Sequence, residues 1–270
     1  IPLRDSPSHI PHRMRQALSL ARVPFSIYPA KAIFHMPPGV QRRLARDLSA
    51  VAPDLVVISS TDLSFCRRAT GTIPTVVVAH NVEQVLYSDQ IEAVARRFPL
   101  AGRLLRADLR KLKVFENDSL TAADLIIAIS TEDAAWFGRH GIDTPVFVLP
   151  PIFPGPLPDL SRPPVRRPLR LALVAKMSWW PNRIGTNWLI RNVLAKLPAG
   201  VVELNVYGPG SEKMSDRAAG VTGHGFVDRL EDVWTDNHIA VCPINQGSGV
   251  NVKFVESLLN GMPILTTSFG

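Results

Sequence analysis

Short apolar runs alternate with longer segments of helical periodicity along most of this chain. In the first half the apolar runs occupy residues 54–59, 75–80, 124–130 and 145–150. Helical patterns lie between them at 82–97 and 100–123, and Ser130 with Asp133 three residues later predicts the N-cap of a further helix. Strands that alternate with helices are typical of a parallel sheet with crossover helices.

A proline-dense segment without periodicity, PPIFPGPLPDLSRPPVRRP, divides the chain. It predicts a first domain at 1–150, a linker at 151–168 and a second domain at 169–270. After the linker the alternation resumes, with a helix expected at 182–197, a short helix at 228–234, and strands at 169–175, 202–208, 221–227 and 239–244. The expected fold is α/β, with two Rossmann-like domains whose parallel sheets face each other across a cleft.

Composition excludes several classes of protein. The 270 residues contain no window of 18 uninterrupted apolar residues and no N-terminal apolar core, so neither a transmembrane span nor a signal peptide is indicated, and a cytoplasmic setting is expected. Cys66 and Cys242 are the two cysteines and lie far apart, which argues against a disulfide framework or a zinc site. We interpret them as buried, unreactive thiols.

The net charge of +7 is concentrated in one segment. Residues 91–115 carry a surplus of five positive charges, and their apolar residues recur at helical spacing, which predicts an amphipathic basic helix. A solvated outer helix face is the favoured interpretation, and peripheral contact with the inner face of a membrane is the alternative. Nucleic-acid binding is not expected, because the segment lacks an interleaved aromatic platform.

The strongest indication of function lies after His238. An apolar run leads into Gly247-Ser248-Gly249, an amphipathic segment follows, and a second apolar run begins after Gly261. This order predicts strand, loop, helix and strand. Backbone N–H groups and the positive end of the helix dipole would together favour an anion such as a nucleotide phosphate.

The helix, expected to begin near Gly249, has a polar face and an apolar face. Lys253 and Glu256 fall on the polar face, while the predicted buried stripe consists of Val252, Val255, Leu258 and Leu259. Lys253 would then meet a diphosphate, and Glu256 would accept hydrogen bonds from ribose hydroxyls. The alternative is a surface Lys-Glu pair.

The motif GSGVNVKFVESLLNGMPILTT resembles the donor-site motif of glycosyltransferase family 4, the group 1 glycosyltransferases of GT-B fold. Further pieces agree in order, over about residues 50–270: VVVAHNVEQVLY, ADLIIAISTEDAAWF, LVAKMSWWPN, VYGPG and GHGFVDRLEDVW. The sequence begins without Met and stops at Gly270, where a further helix would be expected, so we expect both ends of the protein to be missing and this fragment alone to be inactive.

The resemblance also implies site residues. Glu256 matches the second carboxylate of the family's paired-glutamate motif, whereas Ser248 stands where many members carry the first. The backbone of residues 247–250, which includes Gly247, Gly249 and Val250, would cradle sugar and phosphate. The remaining implied residues are Lys176 at a diphosphate-binding position, Lys253 or Arg183 as a second cation, and His80 as a cleft-facing group.

Other residues have two interpretations. His224, between two glycines, is either a turn residue or a neighbour of the nucleotide base, and Trp179 and Trp180 either pack or stack on ligand. Gly208-Pro209-Gly210 predicts a tight turn that permits close ligand approach. No Asp-x-Asp motif is present, as the resemblance implies for metal-independent chemistry, so no metal and no cofactor are expected.

The resulting hypothesis is transfer of a sugar from a nucleotide-sugar donor to a glycan, a lipid-linked sugar or a small molecule. The resemblance implies retention at the anomeric carbon, although no nucleophile is evident in the sequence. Two alternatives remain open: a sugar-nucleotide epimerase of the same fold, and a noncatalytic binding module, which Ser248 in place of a carboxylate favours.

Overall fold

The computed structural model describes residues 26–152, 167–216, 220–245 and 251–268. It divides into two compact units, residues 1–150 and 151–270. The predicted linker at 151–168 lies mostly outside the described residues, as do residues 1–25.

The first unit contains a four-stranded parallel sheet in the order β1-β2-β3-β4. The strands are Val56–Ser59 (β1), Thr75–Ala79 (β2), Leu125–Ala128 (β3) and Val146–Val148 (β4). Each lies within a predicted apolar run. Ile58, Val77 and Ile126, from β1, β2 and β3, pack with Leu120 and Phe137 from helices to form the core.

The helices of the first unit include three segments that the hydrophobic pattern did not predict. These are α1 (Ala30–His35), α2 (Val40–Val51) and a 3-10 segment (Thr61–Ala69). Among them, α2 carries Val40, Leu44, Leu48 and Val51 at helical spacing, so its apolar stripe is present in the sequence, although none of its residues is fully buried. The other helices are α3 (Glu83–Arg97), α4 (Pro99–Thr121) and α5 (Thr131–Arg139).

Two local features explain these helices. Ser130 accepts a hydrogen bond from the Asp133 backbone N–H at 3.0 Å, which confirms the predicted N-cap of α5. The basic segment 91–115 is not one helix, because Pro99 begins α4 directly after α3 ends. The segment therefore forms the tip of a helical hairpin, where Gly102 packs against Ala95.

The second unit contains a five-stranded parallel sheet in the order β7-β6-β5-β8-β9. Its strands are Leu169–Val174 (β5), Val202–Tyr207 (β6), Val221–Gly225 (β7), Ile239–Cys242 (β8) and Ile264–Thr266 (β9). The order reverses direction beside β5, the first strand of the unit, which is typical of a doubly wound nucleotide-binding sheet.

Three helices pack on this sheet: α6 (Trp180–Asn192), α7 (Leu230–Asp236) and α8 (Val252–Leu259). The helix predicted at 182–197 ends at Asn192 and continues as a 3-10 turn, Leu194–Lys196. Apolar clusters lie on both faces of the sheet, one with α6 and one with α7. The interior strand β8, IAVC, contributes to both clusters, which accounts for its uninterrupted apolar sequence.

The predicted buried stripe of α8 is wrong. Val252 is 46% exposed and Leu258 is 52% exposed, whereas Ser257 is buried. The side of the helix that carries Lys253 and Ser257 faces the unit instead, and Lys253 contacts α6 from there. The helix also begins at Val252 rather than near Gly249.

Candidate functional site

Two segments of the second unit emerge side by side at one edge of its sheet. β5 and β8 are paired and parallel, so the segment after β5 and the segment after β8 leave the same edge. The first carries Lys176 and Trp179 into α6, and the second leads toward α8. In open parallel sheets, ligands bind at the carboxyl ends of the strands beside the reversal of strand order.

Lys253 joins these two segments. Its Nζ donates a hydrogen bond to Asn182 Oδ1 on α6 at 2.9 Å and lies 5.3 Å from the centre of the Trp179 ring. The ring face is electron-rich and attracts the ammonium group. A residue of α8 is thus fixed against the first turn of α6 by one hydrogen bond and one cation–π contact.

Burial alters the chemistry of the Lys253 amine. Removal from water lowers its pKa, and the Cys242 thiol acts in the opposite direction. Among the described residues no ion pair joins Lys253 to Glu256, so the predicted surface Lys-Glu pair does not form. Within the part of the chain that the structure describes, the ammonium contacts neutral groups and has no acidic partner, so its charge can attract an anionic ligand.

Glu256 lies one helical turn after Lys253 and is half-buried. Burial is the main reason that its pKa is raised, and the charge of Glu231 at the start of α7 adds to the effect. The Glu256 side chain is therefore close enough to α7 for the charge of Glu231 to affect its pKa. A carboxylate in this position can accept hydrogen bonds from two hydroxyl groups.

Asn251 anchors the start of α8 to the end of β8. Its Nδ2 donates to Cys242 Sγ at 2.6 Å, while its Oδ1 is buried and has no partner among the described residues. Burial raises the pKa of the Cys242 thiol, and Cys66 is also a free thiol with a pKa raised by burial. The raised pKa values favour the protonated thiol at both positions, although Cys66 is only half-buried, whereas Cys242 is buried as predicted.

Lys176 and Arg183, the other predicted cations of this unit, are more exposed than Lys253. Lys176 is exposed in the segment after β5, and its backbone carbonyl accepts from Asn182 Nδ2 at 2.9 Å. Arg183 is exposed on α6 directly after Asn182. The structure therefore brings Lys253 into contact with α6 and leaves the other two cations near the same helix end. Residues 246–250, which include Gly247, Ser248, Gly249 and Val250, lie outside the described residues.

His224 takes part in a polar network at the other side of the sheet. Its ring stacks on Tyr207, with centroids 4.5 Å apart, and its Nε2 donates to Asn205 Oδ1 at 2.9 Å. Asn205 in turn donates to Asn237, which donates to the Tyr207 hydroxyl. The ring is therefore engaged on β6 by both stacking and hydrogen bonding.

The turn after β6 packs against its own chain. Gly208 has a φ of +114°, and a Cβ atom there would lie 2.4 Å from the Ala175 carbonyl oxygen. The Met177 backbone N–H donates to the Pro209 carbonyl oxygen at 3.0 Å. The tight turn thus brings two backbone segments together, those after β5 and β6.

In the first unit, His80 follows β2 and is exposed. Its Nε2 lies 3.1 Å from the Oγ of Ser59, the last residue of β1. The two side chains share the edge formed by the carboxyl ends of the adjacent strands β1 and β2.

Asn182 is the residue of this site that sequence reasoning missed. It is 4% exposed and contacts both Lys253 and the Lys176 backbone. The sequence does place a polar residue directly after Trp180-Pro181, at a predicted helix start. The first turn of a helix that follows a parallel strand lies at the edge of the sheet where ligands bind, so this position could have been identified. The 71-residue separation from Lys253 concealed the contact.

Membrane-spanning helices and clusters of metal ligands are both absent from the part of the chain that the structure describes. Within residues 26–152, 167–216, 220–245 and 251–268, no helix is long and apolar enough to cross a membrane. Across the same ranges, no group of three or more His, Cys, Asp or Glu side chains could hold a metal ion.

Comparison with solved structures shows the fold. The structure of TarM matches with a TM-score of 0.60 at 12% identity, over 85% of this chain and 44% of that one. Sucrose-phosphate synthase from Thermosynechococcus elongatus matches with a TM-score of 0.61 at 14% identity, over 86% of this chain and 60% of that one. Anabaena HepE, solved in complex with UDP-glucose, matches with a TM-score of 0.60 at 16% identity, over 87% of this chain and 66% of that one.

These proteins share the α/β architecture with two parallel sheets, which is the GT-B fold. The chain spans between about half and two thirds of their lengths. No curated protein matches the chain significantly in sequence.

Family models cover nearly the whole chain. Residues 168–270 match the model described as glycosyl transferases group 1. Residues 5–153, more than half of the chain, match the model of glycosyltransferase family 4. Together with the two parallel sheets, these matches establish that the chain belongs to glycosyltransferase family 4.

Proposed function

We propose that the protein transfers a sugar from a nucleoside-diphosphate sugar to a hydroxyl acceptor, with the donor bound by the second unit. The observation that carries this proposal is the Lys253 ammonium held by Asn182 and Trp179 at the carboxyl ends of β5 and β8. An uncompensated cation at this edge of a doubly wound sheet suits a diphosphate.

The proposed chemistry follows from charge. Negative charge grows on the departing diphosphate as the sugar becomes oxocarbenium-like, and Lys253, with Lys176 or Arg183 beside it, stabilises that charge. The half-buried position of Lys253 strengthens the attraction, since the local dielectric constant is lower than that of water. In this proposal residues 247–250 cradle the sugar and phosphate, and no metal or cofactor is required.

Glu256 completes the proposed donor site. Its carboxylate would accept hydrogen bonds from the ribose hydroxyls, because it lies one turn beyond Lys253 on the same helix. His224 would reach the base only by leaving Tyr207 and Asn205, so we rank it below Glu256 as a donor ligand.

The acceptor would bind to the first unit beside His80 and Ser59. A glycan, a lipid-linked sugar or a small molecule each offers the required hydroxyl. We favour a glycan assembled in polysaccharide biosynthesis on the cytoplasmic side of a membrane, with retention at the anomeric carbon.

The hairpin tip at 91–115 supports a proposed peripheral contact with that membrane surface. Phe98, Leu100 and Leu104 are 57%, 76% and 76% exposed, and Arg96, Arg103 and Arg106 are exposed beside them. Apolar side chains flanked by arginines suit an anionic lipid surface.

The site assignment is tested by Glu256→Ala and Lys176→Ala in the full-length protein. We expect nucleoside-diphosphate affinity and release rate to fall by about tenfold or more for each variant, as is typical for loss of a charged ligand contact. Glu203→Ala and Lys196→Ala change exposed residues of the same unit and are matched controls. Unchanged affinity and release for both site variants would overturn the assignment.

A donor panel scored by nucleotide release separates the alternatives. UDP-glucose is the first donor to test, since HepE was solved with it. Acceptor-dependent release supports transfer. A new sugar formed without acceptor indicates an epimerase, and failure to bind any nucleotide indicates a noncatalytic module.

A further inference from the structure

Asn182 occupies the first turn of α6 and is almost completely buried, at 4% exposure. A buried primary amide needs partners for both its oxygen and its nitrogen. Here the nitrogen donates to the Lys176 carbonyl oxygen and the oxygen accepts from Lys253, each at 2.9 Å. Asn182 thereby connects the segment after β5 with the residue that would bind the donor diphosphate.

The orientation of this amide is dictated by its two partners. The Lys176 carbonyl can only accept a hydrogen bond, so the NH2 group must face it, and the Asn182 oxygen is left to face the ammonium of Lys253. The Asn182 backbone is fixed at the start of α6, directly after Pro181. Neither an aspartate nor an apolar side chain can satisfy both partners.

The contacts also restrict where the Lys253 ammonium can point. Asn182 takes one of its three N–H groups, and the Trp179 ring lies on another side. A free lysine side chain samples many rotamers, and a ligand that fixes it must overcome this entropy on binding. Fixing the ammonium before the donor arrives removes that cost.

We propose that Asn182 is a positioning residue, which holds the Lys253 ammonium in place for the donor diphosphate through a hydrogen bond anchored on the Lys176 carbonyl. This inference rests on the proposed function, because it assigns the diphosphate as the ligand of Lys253. Asn182 itself need not touch the donor.

The first test examines Lys253 without any ligand. Rates of acetylation by acetic anhydride at a series of pH values, read for each lysine by mass spectrometry, report the pKa of each amine. Asn182→Asp puts a carboxylate beside Lys253, so its titration midpoint should rise by about one pH unit or more. Asn182→Leu removes an acceptor from a buried cation, so the midpoint should fall.

Lys196, exposed in the same unit, should show no change and serves as an internal control. Asn192→Leu, at the exposed end of the same helix, is the matched control variant. A Lys253 midpoint that stays constant in Asn182→Asp would overturn the inference. If Asn182→Leu fails to fold, the Lys253 midpoint in Asn182→Asp is sufficient to test the inference, because aspartate has the shape of asparagine.

The second test measures UDP affinity by calorimetry in a double-mutant cycle. Asn182→Leu alone should weaken UDP binding about tenfold, and Lys253→Met should weaken it at least as much. If Asn182 acts through Lys253, then Asn182→Leu has little further effect in the Lys253→Met background. Additive losses would overturn the positioning role, whereas wild-type protein that binds neither UDP nor guanosine diphosphate would overturn the proposed function instead.

Discussion

Glu116 shows how a single side chain can hold two helices of the first unit together. It is fully buried on α4, and its two carboxylate oxygens accept from the backbone N–H groups of Glu83 and Gln84 at 2.8 and 2.9 Å. These N–H groups belong to the first turn of α3, which has no side-chain cap of its own. Glu116 therefore caps α3 from 32 and 33 residues away.

The buried position of Glu116 predicts a pH dependence of stability. Burial raises its pKa to about 7, and the two backbone N–H groups act in the opposite direction. The folded state thus binds the proton more tightly than the unfolded state. Its contribution to the free energy of unfolding is greatest below the ordinary pKa of 4.5 and declines by up to about 3 kcal/mol as the pH rises through 7.

Urea unfolding of wild type and Glu116→Gln at pH 4.5, 6 and 8 tests this. Glutamine cannot ionise, so the stability of wild type minus that of the variant should decrease over this range. Glu203→Gln, at an exposed residue of β6, should show no such trend. Parallel pH profiles for wild type and Glu116→Gln would contradict the prediction.

At the scale of elements, close packing fixes α6 on the end of β8. Gly185 is buried in α6, and a Cβ atom there would lie 2.2 Å from the Pro243 carbonyl oxygen. That oxygen is backbone and cannot move without moving the strand end. Asn182 lies three residues earlier on the same helix, so the position of α6 determines where the amide meets Lys253.

We expect Gly185→Ala to lower the free energy of unfolding by about 2 kcal/mol or more, because α6 must move away from β8. UDP affinity should fall with it. Gly138→Ala in α5 is the matched control, since a Cβ atom there meets nothing within 4 Å. That change should be neutral or stabilising by up to about 1 kcal/mol. Equal effects of both changes on stability would refute the packing argument.

At the scale of the whole molecule, exposed apolar and basic side chains lie together at the tip of the hairpin formed by α3 and α4. Part of its polar surface is used internally: Asp108 is buried and accepts from the Ala30 N–H and the Tyr87 hydroxyl. The basic side chains near the tip, including Arg103 and Arg106, remain exposed. Because the acidic Asp108 is buried and the arginines are exposed, the solvent-facing side of the hairpin is more basic than its sequence alone indicates.

This arrangement predicts salt-sensitive binding to anionic vesicles. In co-sedimentation, wild type should bind phosphatidylcholine vesicles that contain phosphatidylglycerol and should not bind pure phosphatidylcholine. Leu104→Ser and Arg103→Glu should each weaken that binding. Phe226→Ser, at an equally exposed apolar residue of the second unit, should not. If neither hairpin substitution weakens vesicle binding, this surface is not the one that contacts the membrane.

The hydrophobic pattern predicted the strands and the longer helices, because each depends on the period of its own apolar residues. Both strand sets lie within the predicted runs, and the Ser130 cap is correctly identified. The pattern failed where burial depends on a distant partner. The face of α8 was predicted wrongly because Lys253 binds Asn182, which no local period encodes.

The sequence by itself determined the α/β class, the ordered motifs and the family, since these depend on local periodicity and on residues close together in the chain. Only the tertiary structure decided which polar groups meet: Lys253 with Asn182 rather than Glu256, Glu116 with the start of α3, and His224 with Tyr207. Such pairs join residues between 17 and 71 positions apart. Their contacts arise from strand order and helix packing, which bring together side chains that sequence spacing keeps apart.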